Sequence, residues 1–80
     1  MRGNDFIQEL EEMVVAHRCK LLAMGRRIIP HLTEEDLLQP NDFVALEEHP
    51  EFRYQEGLIA GLHEAIACLR ASRLLQKEDL

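Results

Sequence analysis

From Asp5 to Ile29 the chain carries more apolar surface than one neighbouring helix can hide. Leu10, Val14, Leu21, Met24 and Ile28 recur in alternating steps of four and three, with His17 in the one remaining slot. This alternation is the heptad seam of a helix packed against another helix. A second row, Val15, Leu22 and Ile29, repeats every seven residues beside the first, and Met13 flanks the other side. The apolar arc is wider than a single partner covers. The segment is therefore expected to be buried on two sides.

The seam predicts a helix over 5–29. Asn4 or Asp5 can cap it, and Asp5, Glu9, Glu11 and Glu12 crowd its start. Arg18, Lys20, Arg26 and Arg27 fill its second half, so both charge blocks suit the helix dipole. Pro30 ends it by disfavouring helical geometry at Ile29. A second long helix is predicted over 51–76, with Pro50 at its first turn. Its seam is Ile59, Leu62, Ile66 and Leu69, with Leu58 and Ala65 alongside. Gly57 and Gly61 each cost about 1 kcal/mol in a helix interior. Close approach of a neighbouring backbone is the expected reason for them.

Two such helices folded back antiparallel make a helical hairpin. Matched rise then sets Gly25 level with Gly57, Leu21 with Leu62, His17 beside Ile66 and Arg27 near Glu56. A chain of 80 residues is one domain at most. A hairpin of this length cannot cover its own apolar faces, whereas two hairpins can. The expected architecture is all-α: a single domain, 1–80, dimerising into a four-helix bundle.

The connection is long for a hairpin, which needs about 2–8 residues. "LTEEDLLQP" reads as a short helix over about 34–38, capped by Thr33, with Leu37 and Leu38 facing inward and Pro40 ending it. "NDFVALEEHP" reads as another over about 42–48, with Phe43, Val44 and Leu46 on its apolar side. Together they fold over the mouth of the hairpin. From Pro30 to Glu56 eight acids (Glu34, Glu35, Asp36, Asp42, Glu47, Glu48, Glu51, Glu56) face one base, Arg53, a balance of −7. The remaining seven acids and eight bases sum to +1, so the whole net charge of −6 sits here. An acidic patch repels phosphate backbones and argues against nucleic-acid binding. It attracts basic protein surfaces. Asp42, Phe43, Glu47, Glu48 and Tyr54 are the candidate partner-binding residues.

Chemistry-bearing patterns are sparse. No Glu precedes a His by three, the spacing with which helical bundles hold paired metals. Glu9 and Glu12 are three apart, but the matching pair Glu48 and Glu51 is interrupted by Pro50. Thr33 and Ser72 are the hydroxyl aliphatics, neither in a glycine-flanked elbow. Cys19 and Cys68 fall mid-helix without C-x-x-C pairing and are expected as buried, reduced thiols. Reduced thiols, with no apolar run of signal-peptide or membrane-span length, point to a cytoplasmic chain that meets no membrane. No metal or other cofactor is called for. His17 in the seam either fixes register and makes the dimer pH-sensitive, or packs as a neutral ring with one hydrogen bond.

The sequence favours a non-enzymatic homodimer that binds a basic protein surface through its acidic, aromatic connection. The seam residues Leu10, Val14, His17, Leu21, Met24, Ile28, Leu62, Ile66 and Leu69 serve core or dimer. The alternative is a small helical enzyme or ligand-binding protein with a metabolite or metal site between helices.

Overall fold

The computed structural model describes residues 3–79, and the side chains of 6–74. Helix α1 spans Gly3–Ile28. Two 3-10 turns, Glu35–Leu38 and Pro40–Asp42, lead into a one-turn helix α2, Val44–Glu47. Helix α3 then runs over Pro50–Asp79, past the end expected at Gln76. There is no strand among the described residues. The cap expected at Asn4 or Asp5 lies outside the described side chains.

α1 and α3 pack along one side each, and the heptad explains which. Ile7, Val14 and Leu21 of α1 are buried at every seventh position, against Phe52, Ile59 and Ile66 of α3 at the same interval. Leu32 and Leu46 join them from the connection, and with Phe52 they are fully enclosed. The core is thus one row of side chains thick. The molecule is a rod of 51 × 20 × 20 Å.

The turn between the helices is tied by its own polar groups. Ile29 N–H donates to the Gly25 carbonyl at 2.8 Å, continuing the helical ladder to the proline. The Arg26 guanidinium reaches forward and its Nε–H donates to the Leu32 carbonyl at 2.8 Å, fixing Leu32 over the end of α1. Thr33 and Asp36 form a reciprocal cap: Thr33 N–H donates to Asp36 Oδ2 at 2.9 Å and Asp36 N–H to Thr33 Oγ1 at 3.2 Å. At the start of α3 the His49 ring accepts from Phe52 N–H at 3.3 Å, supplying the cap that Pro50 cannot. His49 is a helix-start residue by this geometry.

Several expectations are overturned. A Cβ on Gly57 or Gly61 would meet nothing within 4 Å, so neither glycine serves a close approach within the chain. The close approach is at Gly25, where a Cβ would stand 2.5 Å from Leu32 Cδ2 and 3.3 Å from Phe52 Cε1. This contact sets the register: Gly25 faces Phe52, more than a turn closer to the connection than Gly57. Equal rise from the connection fails because Phe52 settles into the notch that Gly25 leaves. Accordingly His17 meets Gln55 rather than Ile66, and Glu56 pairs with Arg53 at 3.1 Å rather than with Arg27. Cys19 and Cys68 are exposed, because the seam turns them away from α1–α3 contact. Leu38 does not face inward but is 66% exposed, and Val44 is 63% exposed, since a 3-10 turn and a single α-turn each bury one side.

Candidate functional site

The connection places four of the five candidate partner-binding residues on one short stretch. Asp42 closes the second 3-10 turn, and Glu47 and Glu48 end α2; all three are exposed. Phe43 is half-buried against the core, and its carbonyl accepts from Leu46 and Glu47 N–H, which holds the stretch in shape. Val44 stands exposed in the same stretch, and Leu38 is exposed where the connection meets the hairpin. None of these carboxylates makes an ion pair among the described residues, and no Lys or Arg occurs from Pro30 to Phe52. Tyr54 is apart from them. It is exposed on α3 and lines a cleft of about 440 Å³ with Lys20, Met24, Arg27, Glu51 and Gln55. No residue of 31–49 lines that cleft.

The seam residues divide into two groups. Val14, Leu21 and Ile66 are buried within the chain's own core, and Leu10, Ile28 and Leu62 pack against it half-covered. Met24 lines the cleft and Leu69 is exposed. His17 is half-buried. Its partner is Gln55, 3% exposed and the buried polar residue of this core. Gln55 Nε2 donates to His17 Nδ1 at 2.9 Å and to the His17 carbonyl at 3.2 Å. Every described buried side-chain polar atom is satisfied.

The two faces of the hairpin differ. On one, Leu37 and Leu38 of the connection share a cleft of about 240 Å³ with Arg18, Leu21, Glu56, Ile59 and His63. The other face carries the cleft at Tyr54 and Met24, which no residue of the connection lines. Arg18, Lys20 and Arg27 make no ion pair among the described residues, and the Arg26 guanidinium donates to the Leu32 carbonyl. Arg70 instead pairs with Glu11 across the helices. Among the described residues no three His, Cys, Asp or Glu side chains converge as metal ligands. No described helix is long and apolar enough to cross a membrane.

Sequence reasoning missed Gln55. The signal was present: Phe52, Gln55, Ile59, Leu62, Ile66 and Leu69 continue one heptad in which Gln55 is the polar member. Starting the second seam at Ile59 cut it off. No protein-family model, curated protein or solved structure matches the chain.

Proposed function

We propose that the chain is a homodimeric helical module that binds a basic surface of another protein through its acidic connection. The observation that carries the reading is the exposure of Val44 in one short stretch with Asp42, Glu47 and Glu48, on a backbone pinned by Leu46, Arg26 and the Thr33–Asp36 cap, with Leu38 exposed at the edge of the connection. An apolar side chain flanked by like charges on a held frame gives a partner both contact area and steering. The core needs Leu32, Leu46 and Phe52 from this region, so the outer residues are free for contact. Tyr54 belongs to the opposite flank and adds to a separate contact.

The test is titration of the chain with a lysine- and arginine-rich amphipathic peptide at low and high salt. Binding that weakens with salt and is lost in Glu47→Lys/Glu48→Lys supports the reading. Equal affinity in that variant removes the connection as the contact.

The second reading is a small protein with an anionic metabolite between its helices. It draws on Lys20 and Arg27, unpaired among the described residues, beside Tyr54 in the cleft of about 440 Å³. Citrate or inorganic phosphate titrated against the chain and against Arg27→Gln separates the two readings: only the second expects binding that Arg27→Gln abolishes.

A further inference from the structure

We propose that the second copy covers the face opposite the connection and lies antiparallel to the first, with the two acidic connections at opposite ends of the assembly. The inference rests on the dimer reading above and adds to it a surface and a direction.

The surface follows from what the connection already covers. Of the second apolar row, Leu22 and Ile29 pack against the core beneath the connection's side of the hairpin, leaving Val15 alone there. The opposite face is uncovered along its length. It runs from the cleft at Met24 and Gln55 back through His17, Met13 and Phe6 on α1, by helical steps of four and seven. On α3 it runs through Leu58, Leu62 and Leu69. Phe6 is 53% and Met13 44% exposed, a large loss for side chains of that size.

The amount of surface fits one more copy. The chain exposes 6114 Å², whereas a folded monomer of 9.3 kDa is expected to expose about 5,000 Å². The elongated chain thus carries about 1,100 Å² more surface than a compact monomer of its mass, enough to accommodate the ~800 Å² that one side of a specific interface buries.

Charge decides the direction. Laid parallel, the two copies would set a segment of −7 beside another of −7. Laid antiparallel, they place the connections, residues 30–49 with six acids and no Lys or Arg, towards opposite ends of a rod 51 Å long, several times the ~8 Å screening length at physiological salt. The flanks of the face agree. Glu9 lies eight residues before His17 and Arg27 ten after it, while Glu51 and Arg73 each lie eleven from Leu62. A two-fold axis crossing at His17 and Leu62 therefore brings Glu9 to Arg27 of the second copy, and Glu51 to Arg73. A parallel pair would also oppose Arg27 to Glu51, so the acidic ends are the deciding term.

The experiment uses the full chain with Cys19→Ser and Cys68→Ser, and Glu47→Cys spin-labelled at the connection. Light scattering gives the mass, and pulsed dipolar spectroscopy the distance between labels. A dimer with a label separation near the rod's length is expected. A dimer with labels at well under half that length overturns the direction and leaves the dimer standing. A monomer overturns the dimer reading itself. Met13→Glu, with helicity checked by circular dichroism, is expected to dissociate the dimer, and Val15→Glu to leave it intact. The reverse pattern moves the interface to the other face.

Discussion

Gln55 holds both the ring and the main chain of His17 with one amide nitrogen, at 2.9 and 3.2 Å. Both acceptors lie on a residue near the middle of α1, and the donor lies near the start of α3. Two helices joined only by an apolar row can slide by a turn. This pair has one register in which it is satisfied. Gln55→Leu leaves the His17 acceptors without that donor, and His17 is only half-buried, so water recovers part of the loss. A cost of about 1–2 kcal/mol is expected in chemical denaturation. Combining it with His17→Leu is expected to recover the part of that cost that comes from the ring, because the double variant removes the unmet Nδ1 while the main-chain carbonyl of residue 17 stays. A double variant as unstable as the sum of the singles would show the pair to be uncoupled.

The same geometry assigns a tautomer. The nitrogen of Gln55 donates to the His17 carbonyl, which accepts only; the shared orientation makes Nδ1 an acceptor too. The proton of the neutral ring is then on Nε2. Nitrogen-15 shifts of the imidazole at pH 8 are expected to show Nδ1 unprotonated. A protonated Nδ1 in the neutral ring would mean that the Gln55 amide is turned over.

Gly25 and the two α3 glycines are expected to respond oppositely to alanine. At Gly25 the new methyl would meet Leu32 Cδ2 at 2.5 Å and Phe52 Cε1 at 3.3 Å. Overpacking of a filled site costs about 1–3 kcal/mol, against about 1 kcal/mol gained in helix propensity. Net loss is expected, since Leu32 and Phe52 are both fully enclosed and have little room to yield. Gly57→Ala and Gly61→Ala meet nothing within 4 Å and are expected to stabilise by about 0.5–1 kcal/mol each. Thermal melts of the three variants check the contrast. If Gly61→Ala weakens self-association instead, a second copy packs on the outer side of α3.

The two long helices were legible because their signals are local. Heptad spacing, proline stops and charge blocks all lie within a few turns of the residues they govern. The relation between the helices was less legible. Matched rise counts residues along the chain, but the register is fixed where Phe52 fills the space beside Gly25, and that space exists only after folding. Reading Gly57 and Gly61 as contact points reversed the truth for the same reason: a glycine's sequence does not say whether anything approaches it. The cysteines were misplaced because residue type was allowed to outweigh position; Cys19 falls two residues from Leu21, on the far side of the turn. In the candidate site, the acidic character of the connection was plain, but Tyr54 was grouped with it by nearness in sequence. A helix turns such a residue to its own face.

The connection is expected to separate stability from contact. Leu46 is fully enclosed against Gly25 and Phe52, so Leu46→Ala removes a side chain that closes the end of the core. A loss of about 2–5 kcal/mol is expected. In a chain whose core is one row thick, that is enough to unfold a large fraction. Leu38 and Val44, on the outer side, are expected to tolerate alanine within about 0.5 kcal/mol. The discriminating measurement is made on Leu38→Ala/Val44→Ala. Unchanged denaturation with weakened binding of a basic peptide assigns the outer row to contact with a partner. Destabilisation comparable to Leu46→Ala would instead mean that the outer row is covered in the folded protein, and the connection would then be a lid on the bundle rather than a binding edge.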